Sequence, residues 1–148
     1  MIINTSNLNE AQKQIQKLKK DGQEIVVQAQ SPEFNRKILE NKNVDIFLGL
    51  EIHNRKSKLN QRDSGLNEVL CRLAKKNDIK IGIDFEKIIK LSSIEKAKIL
   101  SRIMQNVYLS KKMGAQLIIY PKNKYKKQDV MGLFLSLRGS TKQGKEAV

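Results

Sequence analysis

The chain has 148 residues and a mass of 17.0 kDa, enough for one domain with a single core and too little for two ordinary ones. Hydrophobic residues at 39% and charged residues at 30% exclude wholesale disorder. Lys and Arg number 29 against 15 Asp and Glu, a formal charge of +14, and so positive a field favours a polyanionic partner, nucleic acid first.

No apolar run approaches the roughly 20 residues that span a bilayer. The start, Met1-Ile2-Ile3-Asn4, lacks the regions of a signal peptide, and the single Cys71 leaves no internal disulfide, so a reducing, cytoplasmic location is expected.

Ile2-Ile3 reads as a short strand. Asn7 with Glu10 has the spacing of a helix start, and Leu8, Ala11, Ile15 and Leu18 recur at helical intervals until Asp21-Gly22 stops them. Glu24 to Gln28 is a β-branched strand, after which Ser31-Pro32 caps a second helix with Phe34, Ile38 and Leu39 inward. Val44 to Leu50 is nearly apolar throughout, as expected of a parallel strand covered on both faces. Glu51 to Arg62 is a long, mostly basic loop. It feeds Asp63 and Ser64, either of which is expected to cap a helix carrying Leu66, Val69, Leu70 and Leu73 on its inner face. Ile79 to Asp84 is the next strand. Ser92 with Glu95 then opens a long helix, expected to bury Ile94, Ala97, Leu100, Ile103, Met104, Val107 and Tyr108 and to end at Gly114. Ala115 to Tyr120 is the last strand, cut off by Pro121. Met131 to Leu137 is one more helix, and from Ser140 onward the tail reads as polar and frayed.

Strands alternating with helices define an α/β fold with a parallel sheet. Periodicity leaves an open doubly wound sheet and a (β/α) barrel equally open, although four firm strands and one short one cannot close the usual eight. In either architecture, active groups sit past the carboxyl ends of strands. A metal-dependent phosphoesterase would have to draw on Glu51, His53, Asp63, Asp84 and Glu86. His53 is the chain's one histidine, whereas such hydrolytic sites usually use several imidazoles. Cys71 has no neighbouring His or Cys, and no Gly-rich nucleotide motif is present. A different chemistry is suggested by Tyr125 among Lys122, Lys124, Lys126 and Lys127, since lysines around an exposable ring suit RNA.

Arg62-Asp63-Ser64-Gly65-Leu66-Asn67-x-Val69-Leu70, followed by Leu73-Ala74 and Ile81-Gly82, resembles the signature of the RNase P protein component 3 family, the archaeal branch of the 30-kDa RNase P subunit family. Asn43-Val44-Asp45 before the loop and Gln128-Asp129-Val130 before the late helix extend the match, with Gln128 departing from the family's arginine. The resemblance implies an incomplete or modified TIM-type (β/α) barrel over residues 1–139, with 140–148 as a C-terminal tail. It also implies a non-catalytic subunit of a ribonucleoprotein whose RNA removes the 5′ leader of precursor tRNA. Implied partners are the RNase P RNA, a smaller ferredoxin-like subunit and, indirectly, precursor tRNA. No cofactor on the protein is expected, Mg2+ being used by the RNA. The chain looks short at the front and without the family's C-terminal helix, which would leave sheet edges for a partner to cover.

Within this reading no residue is assigned to catalysis or to a metal. Arg55, Lys56, Lys58 and Arg62, with Lys122, Lys124, Lys126 and Lys127, are expected to contact phosphates from one continuous surface. Asp63, Ser64 and Gly65 are expected to fix the loop. Another basic RNA-binding module is the general alternative.

Overall fold

A computed structural model describes the whole chain, residues 1–148. Its core is a five-stranded sheet of β1 (Ile2–Ile3), β2 (Val26–Gln28), β3 (Ile46–Leu48), β4 (Lys80–Asp84) and β5 (Leu117–Tyr120). All neighbouring strands are parallel and lie in sequential order, β1-β2-β3-β4-β5. The reversal of order that creates the crevice of doubly wound sheets does not occur.

Right-handed crossovers between sequential parallel strands place the connecting helices on one face. Side chains of alternate register rows divide accordingly. Val27, Phe47, Ile81 and Leu117 share a row and join the main core with the helices, whereas Val26, Ile46, Leu48 and Ile118 form a separate cluster on the other face, backed by Tyr120. Gly82 permits this second cluster, because a Cβ there would lie 2.9 Å from Leu48 Cδ1 and 3.0 Å from Ile46 Cγ2.

Helix starts follow local chemistry. Asn7 accepts the N–H groups of Asn9 and Glu10 to open α1 (Leu8–Lys20), and Ser31 accepts that of Phe34 to open α2 (Pro32–Leu39). The third start lies further along than expected. α3 (Glu68–Lys76) is capped by Asn67, whose side chain accepts the Leu70 N–H, and not by Asp63 or Ser64. The helical spacing of Leu66 is therefore fortuitous. It is buried from the loop, while Val69, within the helix, is 48% exposed. Asp84 caps a short helix that the apolar pattern does not reveal, α4 (Phe85–Ile89).

α5 (Ser93–Met113) begins with the Ser92–Glu95 capping box and ends at Gly114, in the left-handed conformation. Its buried stripe differs from the expected one. Ile99, Arg102, Ile103, Asn106, Val107 and Ser110 face inward, whereas Ile94 is 85% and Tyr108 64% exposed. α6 (Lys127–Ser136) starts four residues before the apolar run that signals it. The tail is not frayed: Ser140 and Gln143 form a capping box for α7 (Thr141–Glu146). Gln143 Nε2 donates to Val107 O at 3.0 Å, and the Ile119 N–H on the outer side of β5 donates to Ala147 O at 2.8 Å. No helix is long and apolar enough to cross a membrane.

Candidate nucleic-acid interface

The segment Glu51–Asn67 between β3 and α3 has almost no regular structure, yet its backbone is held at many points by side chains. Arg102, on the buried stripe of α5, donates from Nη1 to Glu51 O and His53 O, both at 2.8 Å, and from Nη2 to Arg55 O at 3.3 Å. One guanidinium thus gathers three alternate carbonyls, a geometry its rigid fork suits. Asn106 donates to Ser64 O and Gln105 to Arg62 O, each at 3.2 Å, while Arg62 returns a bond of 3.1 Å to Ser101 O.

The far half of the loop is fixed by Asp63. Its carboxylate takes Arg55 Nε at 2.8 Å and the Gly65 N–H at 2.9 Å, and the Arg55 guanidinium, followed by that N–H, holds its pKa below the usual carboxylate range. Gly65 has φ of 84°, and a Cβ on it would meet Leu50 O at 1.8 Å, so the Asp63-Ser64-Gly65 turn depends on glycine. Ser64 is buried and donates to Leu66 O. His53 Nδ1 accepts the Arg55 N–H, leaving Nε2 3.5 Å from Asp63 Oδ1. Burial, reinforced by the charges of Arg102 and Arg55, lowers the His53 pKa and keeps the ring neutral at pH 7. Asp63→Ala should therefore lower stability by about 1–2 kcal/mol through its lost bonds to Arg55 and Gly65 rather than a lost helix cap. Urea denaturation checks this, and an Asp63→Asn variant recovering part of the loss would isolate the Gly65 bond.

With Arg55 and Arg62 engaged, Lys56 and Lys58 are exposed and carry no acidic partner. Arg55, Lys56, Lys58 and Arg62 line one open groove of about 690 Å³, joined by Arg36 of α2, which the sequence pattern did not single out. The second cluster lies elsewhere. None of Lys122, Lys124, Lys126 and Lys127 lines the groove, although they follow β5 at the same end of the sheet as the loop after β3. Lys122 is paired with Glu24 ahead of β2, and Lys124 with Glu86 on α4. Lys126 and Lys127, at the start of α6, are exposed. Tyr125 is not a free stacking platform, since its ring packs edge-on against Phe85 at 5.1 Å and its hydroxyl is buried.

The carboxylates past the strand ends separate into small groups. Glu51 is 1% exposed and accepts the Asp84 N–H at 3.1 Å; Asp84 pairs with Lys87 at 3.0 Å, which also donates to Gln28. His53 and Asp63 lie together in the loop, and Glu86 is taken by Lys124. No three His, Cys, Asp or Glu side chains converge in a way that could hold a metal ion. Burial, with Glu68 adding to it, pushes the Cys71 thiol up to about 12, so it is inert as a nucleophile. The residues that organise the interface and escaped sequence reasoning are Arg102, Gln105 and Asn106. The one available signal was their i, i+3, i+4 spacing, which places them beside apolar Ile103 and Val107.

Fold and site together define a parallel α/β protein whose strand ends present a rigid, cation-lined loop in place of a metal cluster. No protein-family model matches the chain. In sequence it is a relative of Ribonuclease P protein component 3: it is 31% identical to that protein of Methanococcus maripaludis over 117 residues, 79% of this chain and 47% of the relative. The Methanocaldococcus jannaschii protein of the same name is 26% identical over 125 residues, 83% of this chain and 51% of the relative. The resemblance carried by the Asp63 motif is thereby shown, and the chain spans about half the length of the curated relatives it matches. In fold it resembles a chain of the cryo-EM structure of archaeal Ribonuclease P with mature tRNA, with a TM-score of 0.79, 21% identity, and coverage of 97% of this chain and 62% of that one.

Proposed function

We propose that this chain is part of a protein subunit of RNase P, acting in the cytoplasm as a non-catalytic cofactor in 5′ maturation of tRNA. The five strands in sequential order are then consecutive strands of a (β/α) barrel, incomplete over this length. The observation that carries the reading is the pinned loop. Arg102, Gln105, Asn106 and Asp63 hold its backbone, so Lys56 and Lys58 present charge to a phosphate backbone without the ordering penalty of a flexible loop. The kinship with Ribonuclease P protein component 3 and a charge of +14 support the same partner class. In this reading the RNA cuts and uses Mg2+, and a small ferredoxin-like subunit is the protein partner.

The test is precursor-tRNA cleavage by a methanogen RNase P RNA and its small subunit at low magnesium, with this chain added or omitted. Stimulation is expected, and Lys56→Gln with Lys58→Gln should weaken it and reduce the salt slope of RNA binding by about one per lysine. Metal-dependent hydrolysis by the protein alone, without stimulation of the RNA, would replace this reading with a phosphoesterase.

A further inference from the structure

Helices on one face of a parallel sheet run opposite to the strands they join, so their last turns collect at the end away from the Glu51–Asn67 loop. Those last turns are lysine-rich: Lys17, Lys19 and Lys20 on α1, Lys75 and Lys76 on α3, and Lys111 on α5. Lys42 ahead of β3 and Lys80 at the start of β4 add two more from outside any helix. The positions adjoin one another. Lys19 is bonded to Asn43, Asn77 at the end of α3 donates to Leu39 O at the end of α2, and the Lys75 ammonium lies beside Gly114 at the end of α5. Lys75, Lys111 and Lys142 rim one open cavity of about 490 Å³.

The acids of this end are largely engaged. Glu40 pairs with Arg36 and Lys37, Glu24 with Lys122 and Glu146 with Lys142, while the Asp45 carboxylate accepts the Ile25 N–H. Asp21 and Asp78 remain. A lysine in a last turn complements the helix dipole, but that role does not extend to Lys42 and Lys80, nor does it require so many cations without acidic partners. The five residues of β4 set the two ends of the sheet roughly 15 Å apart, about twice the roughly 8 Å screening length of physiological salt. Each end therefore acts on a polyanion separately.

We propose that the end of the sheet opposite the loop is a second RNA-backbone surface, and that one copy of the chain holds two RNA segments at once. This rests on the RNA-binding reading above and goes beyond it, since a cofactor that merely neutralises one strand needs only one such face. Bridging would let the protein fix the spacing of two parts of a folded RNA.

The experiment is a two-RNA capture with a biotinylated 20-nucleotide oligouridylate on beads and a fluorescent copy in solution, using the full chain. Wild type is expected to retain the fluorescent RNA. Lys20→Gln/Lys75→Gln/Lys76→Gln/Lys111→Gln should still bind the bead RNA but release the second, with the salt slope of binding reduced by about 0.7 for each phosphate that is no longer neutralised. All four side chains are exposed, and the milder Lys75→Gln/Lys111→Gln pair should give half the change in slope if the quadruple variant folds poorly. Undiminished capture and slope in these variants, including capture through paired copies or a preference of this face for an acidic protein, would overturn the second surface and leave the loop's role intact. Absence of any RNA binding by wild type would instead remove the RNA-binding reading itself, and the bridging inference with it.

Discussion

Arg102→Ala is expected to lower stability by about 4 kcal/mol, roughly 10 °C in melting temperature for a chain of this size. Three effects add. The carbonyls of Glu51, His53 and Arg55 lose their donors, a side chain only 2% exposed leaves a cavity, and the loop loses its connection to α5. Thermal denaturation measures the first two. Limited trypsin digestion measures the third, because Arg55, Lys56, Lys58 and Arg62 place cleavage sites in the segment Arg102 pins. Arg102→Lys keeps the charge but not the fork, so it should recover little of the loop protection. RNA affinity should fall with loop order even though Arg102 itself is buried away from any ligand. Wild-type melting and digestion patterns in Arg102→Ala would remove the guanidinium from its organising role.

Arg102 also marks where the sequence stops being legible. The parallel α/β class, five strands and the caps at Asn7, Ser31 and Ser92 are local signals, written within three or four residues of the groups they satisfy. The inner stripe of α5 is not local. Arg102 and Asn106 read as solvent-facing because they are polar, and they are buried because carbonyls some 40 to 50 residues earlier need donors. The same blindness to tertiary context placed Ile94 and Tyr108 inside. α7 is a different case. Its Ser140–Gln143 capping box is plain in the sequence, but a polar composition says nothing of Gln143 reaching Val107 O or of Ala147 O accepting from β5. For the interface, Arg55, Lys56, Lys58 and Arg62 were visible as a basic loop, and the structure divides them into two that hold the loop and two that are free. Lys122 and Lys124 looked equivalent to them only because Glu24 and Glu86 are distant in sequence.

Glu51→Gln should stabilise the protein above neutrality while leaving it nearly unchanged in mild acid. The Glu51 carboxyl is pushed up to about 7, chiefly by burial; its own N–H and that of Asp84 pull the other way, the Asp84 charge adds to the rise, and Lys87 opposes it. For an acid whose folded pKa lies above its unfolded value, the native state prefers the proton. Stability is therefore full below about pH 4.5, falls as the unfolded chain ionises freely between 4.5 and 7, and is flat above, once the folded carboxyl ionises too. A rise from 4.5 to about 7 corresponds to about 3 kcal/mol lost across that window. Gln keeps an acceptor for the Asp84 N–H at the position of Glu51 Oε1 and cannot ionise, so it removes this component alone. Urea denaturation of both proteins at pH 5 and pH 8 reads it as a difference of differences, in which Asp63, His53 and every other titrating group cancel. A gap between variant and wild type that widens by about 3 kcal/mol toward pH 8 is the expected result, and parallel profiles would mean that the Glu51 carboxylate is solvated or paired in the native state. Because Arg102 takes the Glu51 carbonyl while the side chain meets β4, ionisation here would disturb the root of the loop that carries Lys56 and Lys58, so RNA affinity of wild type, but not of Glu51→Gln, should weaken as pH rises through about 7, where the folded carboxyl ionises.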